Sequence, residues 1–218
     1  MKILALDFSS PQRGVAVLNG SNATPVEILD VGPGRDMKPF ALIEAALRQA
    51  GLEREAIECL AVGIGPGSYA GIRVAISLAQ GWQLATGVKL LGISSAESIA
   101  AQAGAAGVVG PFSVVIDAQR GEFYLADYEA DHGGGQAVSP LRLVPLAELE
   151  RRGRLGETLV GPEVTRWISA ARVIFPRAAA LAQLAPARTD FLAGEKLEPI
   201  YLRETAFVKA PPPRDLTF

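Results

Sequence analysis

The stretch CLAVGIGPGSYAGIR, residues 59–73, contains an apolar run, a glycine-rich turn and the opening of a helix in direct succession. Cys59 to Ile64 is a short continuous apolar run of the kind buried strands show. Gly65 to Gly71 is turn sequence, and Ile72 to Thr86 has helical spacing. Strand, turn and helix in that order form one arm of a layered α/β domain, so α/β is the expected fold class. Two readings of the glycines stay open. They expose backbone N–H groups at the positive end of a helix dipole, which is an anion site, or they permit a tight turn and close packing. Their spacing is neither that of a P-loop nor that of a dinucleotide fingerprint.

Upstream, Lys2 to Asp7 (KILALD) is an apolar run ending in a carboxylate. Gly14 to Leu18 (GVAVL) follows a turn rich in Ser, Pro and Gln. The two read as a hairpin, with a further turn at Asn19-Gly20 leading to a third strand over Pro25 to Val31. Lys38 to Ala50 places Phe40, Ile43 and Leu47 at helical spacing before Gly51 ends the helix. Downstream, Leu90 to Ile93 is a buried strand, and Ser94-Ser95-Ala96-Glu97 is a capping-box pattern that opens a helix to Ala103. Ser113 to Asp117 (SVVID) then repeats the apolar strand ending in Asp. Arg120-Gly121 leads into the strand Glu122 to Tyr128 just as Arg13-Gly14 leads into the second strand. Leu159-Val160-Gly161-Pro162 echoes the segment from Val62 to Pro66. This is the mark of an internal duplication, with two similar α/β lobes, residues 1–107 and 108–218, each offering an Asp at the end of its first strand. His132 to Gln136 reads as a hairpin loop, and Pro211-Pro212-Pro213 belongs to an extended proline-rich tail.

Composition narrows the function classes. The 218 residues are 49% hydrophobic and 20% charged, with a net charge of −2. That is apolar for a soluble monomer, so part of the surface is expected to meet a partner. The balance lacks the positive field that attracts phosphate backbones, which argues against strong nucleic-acid binding by this chain alone. Cys59 and His132 are the single cysteine and the single histidine, too few for a zinc site, a disulfide or a conventional nucleophilic triad. The Met1–Asp7 segment is too short for a signal-peptide core, and Leu90 to Ile116 is broken by glycines and Pro111, so no membrane span is expected. A reducing cytoplasm is the expected location.

Candidate functional residues follow. Asp7 and Asp117 sit where a two-lobed ATPase would hold magnesium and position phosphates, or each caps its own turn. Phe8-Ser9-Ser10-Pro11 replaces the glycine and hydroxyl residue that such an enzyme places after its first Asp. The helix after the glycine loop is apolar on more than one side: Ile72, Ala75, Ile76 and Ala79 on one, Val74, Leu78 and Ala85 on another. Such a helix has to be covered all round. The covering is either the rest of its own lobe or a partner. Cys59 opens an apolar strand and reads as a small core residue.

These residues carry a family resemblance over nearly the whole chain. ILALDFSS (3–10), GIGPGSYAGIR (63–73), the Ala79-Gln80-Gly81 helix, GISS (92–95), DAQRGEFY (117–124) and PIYLR (199–203) resemble the TsaB (YeaZ) family. That family is the dimerisation subunit of the machinery that makes N6-threonylcarbamoyladenosine in tRNA. The resemblance implies a two-lobed actin/hexokinase-like (ASKHA, duplicated ribonuclease H-like) fold without catalysis of its own. It implies a TsaD-type catalytic paralogue and a TsaE-type ATPase as partners, and tRNA reached through the complex. Contacts would come from the helices Lys38 to Ala50 and Ile72 to Thr86, through Phe40, Ile43, Leu47, Ile72, Ala75, Ile76, Ala79 and Gln80. The same apolar surface would let the isolated protein form a homodimer. Asp7, Ser9, Gly65, Gly67 and Asp117 would line a degenerate nucleotide cleft with no required cofactor and room for weak ATP or ADP binding. No metal is implied. Departures from the family are Phe8 for the usual Thr, Tyr69-Ala70 for Phe-Thr, and the lack of a His-Ser-Glu stretch in Gly32 to Met37. Two other readings compete: a small ATP-dependent phosphotransferase using Asp7 and Asp117 with magnesium, and a peptidase.

Overall fold

The structure is a computed structural model that describes residues 1–20, 23–31, 37–131 and 134–202. The expected departure at 32–37 therefore lies, apart from Met37, outside the described residues, as do His132 and the proline-rich tail.

The first sheet runs β3-β2-β1-β4-β5. Strands β1 (Lys2–Asp7), β2 (Arg13–Asn19) and β3 (Val26–Asp30) form an antiparallel meander. β4 (Cys59–Gly63) pairs parallel with β1, and β5 (Lys89–Ile93) pairs parallel with β4. The near-continuous apolar run of β1 follows from burial on both faces. Leu4 and Leu6 face helices α1 (Pro39–Ala50) and α2 (Tyr69–Thr86), while Ile3 and Ala5 face α5 (Ala178–Leu184).

Helix ends obey local chemistry. Gly51 closes α1 at φ 64° and Gly87 closes α2 at φ 72°, the left-handed geometry glycine adopts without penalty. α2 begins at Tyr69, three residues earlier than the apolar spacing predicts, because the Ser68 hydroxyl accepts from Gly71 N at 3.4 Å and caps the first turn. In α3 (Ser95–Ala103) the Ser94 hydroxyl accepts from Ala96 N. Glu97, however, takes Arg188 at 2.8 Å.

The second sheet runs β11-β10-β6-β7-β8. Its strands are β6 (Gly110–Asp117), β7 (Glu122–Asp131), β8 (Gly134–Ala137), β10 (Thr158–Gly161) and the two-residue β11 (Arg172–Val173), with β9 (Arg142–Pro145) pairing on β7. Again a first strand pairs antiparallel with the second and parallel with a later one, so the duplication read from the sequence is present in the topology. Beside β9 lies α4 (Leu146–Arg154), whose Leu149 meets Val115, Phe123 and Leu159 under this sheet.

The two halves exchange helices. α3 follows the first sheet in sequence but packs its Ala96, Ile99 and Ala100 against Val114, Ile116 and Tyr128 of the second. α5 follows the second sheet but packs Ala178, Leu181 and Ala182 under the first. It is tied there by Glu27, whose carboxylate accepts from the Arg177 guanidinium and from Ala179 N. A division at residue 107 thus separates the sheets but not the helices that cover them. Beyond α5, a strap over residues 188–202 crosses back: Leu192 N donates to Leu90 O, Gly194 N donates to the Gln83 side chain, and Ile200 N donates to Ile64 O.

Candidate functional site

Asp7 ends β1 with no solvent exposure. One carboxylate oxygen accepts from Ser9 N at 2.9 Å and from Ser9 Oγ at 2.6 Å. The other, Oδ2, has no hydrogen-bond partner. It occupies the space a Cβ on Gly63 would need, 2.6 Å away. Burial pushes the carboxyl up to about 6, against the Ser9 hydrogen bonds and with help from the Glu27 charge. Ser95 Oγ donates to Ser9 Oγ at 2.9 Å, and Ser95 N donates to Gly65 O at 2.8 Å. The sequence candidates Asp7, Ser9 and Gly65 are therefore brought together with Ser95, a buried residue at the start of α3 that the sequence did not single out.

The glycine loop closes over this cluster. Ser68 N donates to Ser9 O at 2.7 Å, a Cβ on Gly67 would meet Ser9 O at 2.2 Å, and one on Gly71 would meet Phe8 O at 1.9 Å. These glycines serve a close approach of two backbone segments. The loop-facing side of the α2 N-terminus is filled by residues 8 and 9 of the same chain. A metal ion or phosphate reaches Oδ2 only if that contact opens, so the residues present do not fit a bound magnesium nucleotide at Asp7.

Asp117 stands apart from this arrangement. Its oxygens accept from Gln119 N at 2.7 Å and Gln119 Nε2 at 2.9 Å in an exposed turn where Gln119, Arg120 and Gly121 all have positive φ. Among the described residues, no group of three or more His, Cys, Asp or Glu side chains is placed to hold a metal ion. Burial raises the Cys59 thiol to about 11, which leaves it a core residue rather than a nucleophile.

The helix candidates divide by exposure. Ile43, Leu47, Ile72, Ala75, Ile76 and Ala79 are buried in the core that α1 and α2 make with β1 and β4. The expectation that these six face a partner is corrected on that point, because the stripe is consumed by the chain's own sheet. Phe40 is 67% exposed, and Gln80 is half-buried with Nε2 donating to Gly194 O at 2.8 Å. The free face of α2 carries Tyr69, Arg73, Ser77, Gly81 and Leu84, the last 90% exposed. Arg73 is the only charged side chain in the helix. Its guanidinium lies 5.1 Å from the Tyr69 ring centroid and donates to the Tyr69 hydroxyl, and Tyr69 meets Tyr201 of the strap with ring centroids 5.5 Å apart and planes tilted by 32°.

Two grooves flank the strap. One, of about 290 Å³, lies between α2 and residues 195–201. The other, of about 320 Å³, is lined by Ser94 and Glu97 of α3, by Tyr128 and Leu141, and by Ile200 and Leu202. Neither contains Asp7 or Asp117. No described helix is long and apolar enough to cross a membrane.

Comparison with known proteins adds a family. The family model described as TsaD: tRNA N6-adenosine threonylcarbamoyltransferase matches residues 40–193. The chain is 29% identical over 234 aligned residues to the tRNA threonylcarbamoyladenosine biosynthesis protein TsaB of Escherichia coli (strain K12), covering 99% of this chain and 100% of that one. It is 27% identical to the Bacillus subtilis (strain 168) protein of the same name, over 68% of this chain and 64% of that one. Among solved structures, YeaZ from Pseudomonas aeruginosa superposes with a TM-score of 0.78 at 23% identity, covering 92% of this chain and 99% of that one. A structure described as an uncharacterized protein with similarity to peptidase YEAZ from Pseudomonas aeruginosa gives 0.79 at 24% identity, over 93% and 99%. At these identities the structures establish the fold.

Proposed function

The chain belongs to the family described as TsaD: tRNA N6-adenosine threonylcarbamoyltransferase, within its TsaB/YeaZ group, and from that membership we propose that it is the non-catalytic dimerisation subunit of tRNA N6-threonylcarbamoyladenosine synthesis. In this reading it docks a TsaD-type catalytic paralogue and activates it, a TsaE-type ATPase joins the pair, and tRNA is reached through the assembly. The reading includes a cytoplasmic location, a two-lobed division near residue 107 and a homodimer when the partner is absent.

The observation that carries it is the sealing of Asp7. A carboxylate at the end of the first strand is the group an ATP-handling member of this fold would present to its metal. Here it is fully buried beneath a backbone contact that glycines at 67 and 71 make possible. The free face of α2 supports the docking half of the proposal, since it offers Leu84, Tyr69 and small residues with a single charge.

The test is to mix the purified chain with the TsaD-type paralogue of the same genome and measure molar mass by light scattering after gel filtration. The control variant is Leu84→Arg. Leu84 is exposed, so the change leaves folding intact while placing an unpaired charge in the interface. A heterodimer that the variant loses is the expected result. Absence of any complex would sink the proposal. The phosphotransferase alternative would then be tested by magnesium-dependent ATP hydrolysis that Asp7→Asn abolishes.

A further inference from the structure

Ser9, the glycine loop and the start of α3 meet at one point, where hydrogen bonds hold them together. Ser68 N donates to Ser9 O at 2.7 Å, Ser95 N donates to Gly65 O at 2.8 Å, and Ser95 Oγ donates to Ser9 Oγ at 2.9 Å. This point joins the two halves, since the loop leads into α2 over the first sheet while α3 covers the second. Further along α3 there is a second tie: Ser98 Oγ accepts from Arg177 N at 3.0 Å, and Gln102 Nε2 donates to Phe175 O at 3.0 Å. The two ties differ in one respect. Asp7 Oδ2, at the first, is among the described residues the single buried side-chain oxygen or nitrogen without a hydrogen-bond partner. An ionised carboxylate only accepts, and burying one of its oxygens unpaired costs more than burying a neutral group so. No neighbouring cation offsets that cost. Residues 59–68 carry no charged side chain, Arg177 is held by Glu27, Arg13 by Asp30 and Arg73 by Tyr69. Glu97 on α3 pairs with Arg188, and the Glu27 charge opposes ionisation of Asp7.

We propose that this junction is a latch under load: the unpartnered Asp7 carboxylate weakens it, so that Ser9, residues 65–68 and the first turn of α3 open together as one local unit while both sheets stay folded. Two arguments make the opening local. The bonds that break join a loop to a helix end, and water can take over each donor and acceptor, whereas the β1–β4 ladder next to them is left whole. Water entering the open junction reaches Oδ2, so the carboxylate regains there the hydration it lacks when closed. The contact released is the one between the starts of α2 and α3. With it open, the second tie at Ser98 and Gln102 remains as the point about which the two sheets can shift. The latch belongs to the chain by itself and needs no partner.

The experiment is hydrogen exchange of the full chain at pH 7, followed amide by amide by NMR. The reporters are the amides of Ser9, Ser68 and Ser95, each a donor within the junction, and the references are the ladder amides of β1 and β4. In the wild type the three reporters are expected to exchange at one common rate, faster than the references. Asp7→Asn removes the charge and should slow all three by about tenfold or more. Ser95→Ala removes the hydroxyl bond to Ser9 and should speed all three by several-fold, with the references unchanged in rate. Reporters that exchange only as slowly as the references would overturn the latch, because the junction would then open only on global unfolding. Asp7→Asn reporters as fast as those of the wild type would overturn it too, since the carboxylate would not be the load. Should that variant fail to fold, Ser95→Ala still decides: a change confined to the Ser95 amide would show that the three segments do not open as one unit.

Discussion

The same sequence pattern, an apolar strand ending in Asp, meets opposite fates in the two halves of this chain. In the first half β4 runs beside β1 through Leu6 and Val62, so the next residue, Gly63, comes level with Asp7 and roofs its carboxylate. In the second half the parallel neighbour β10 stops at Gly161. The ladder reaches only Val160 opposite Val114, which leaves Asp117 beyond the last rung and only half-buried. Whether the Asp becomes a buried cluster or a turn cap therefore follows how far the neighbouring parallel strand runs alongside it. The difference teaches that a duplicated motif carries topology reliably and chemistry only where its neighbours are duplicated too.

The strongest way to break the comparison is to forbid the backbone contact that seals the first site. Gly71→Ala places a Cβ 1.9 Å from Phe8 O, and Gly67→Ala places one 2.2 Å from Ser9 O, where both neighbours are main chain and cannot swing away. Each change is expected to destabilise by about 3 kcal/mol or more in urea unfolding, at the upper end of overpacking costs. Near-wild-type stability in both would show that residues 8–9 and 67–71 are not held together as described.

A somewhat smaller effect comes from the charge on Asp7. Its folded-state value of about 6 lies above the ordinary 3.8, so the native chain holds this proton more tightly than the unfolded chain does. The contribution of this group to stability is full below about pH 4, falls as pH rises toward about 6, and stays at the lower level beyond. The loss from this group is about 3 kcal/mol for a shift of this size. Asp7→Asn keeps an acceptor for Ser9 and should remove that slope. Asp127 works in a separate window. Burial pushes it up, but hydrogen bonds from Ser113, Arg142 and Ser139 and the charge of Arg152 hold it at about 2. Its contribution is present above about pH 4 and is lost only as pH falls toward 2. Unfolding profiles at matched ionic strength separate the two, and an unchanged slope between pH 4 and 6 in Asp7→Asn would refute the buried-charge account.

Much of the first half was legible in the sequence because its signals are local. Periodicity, the glycine stop at 51 and the serine cap at 94 placed helices α1, α2 and α3 to within a turn, and the Ser68 cap, unread in the sequence, accounts for the earlier start of α2. The second half hides more. α5 is a run of small residues after Arg177 with no side-chain cap, and β11 is two residues long, so neither carries a period. The helix exchange depends on contacts such as Glu27 with Arg177, which no local pattern encodes. At the candidate site, the apolar stripe of α2 reads identically whether it meets a partner or its own sheet. Only the topology shows that Ala75 and Ala79 are spent on β1 and β4, leaving Tyr69, Arg73 and Leu84 outward. The Asp at each strand end was legible too, but its exposure was not, because that depends on where a strand some fifty residues later stops.

The smallest expected effects belong to the open turn of the second half, and they sharpen the contrast with the close backbone contacts at Gly67 and Gly71 in the first. A Cβ on Gly121 meets nothing within 4 Å, so Gly121→Ala costs only the left-handed backbone at φ 77°, about 1 to 2 kcal/mol. Asp117→Ala removes two hydrogen bonds to Gln119 that water can replace in an exposed turn. It should lower stability by about 1 kcal/mol at most and leave binding of the catalytic partner unchanged. A larger loss of stability would mean that Asp117 anchors more than its own turn. A loss of partner binding at unchanged stability would instead return the second strand end to the list of functional positions, with the two halves once more chemically alike.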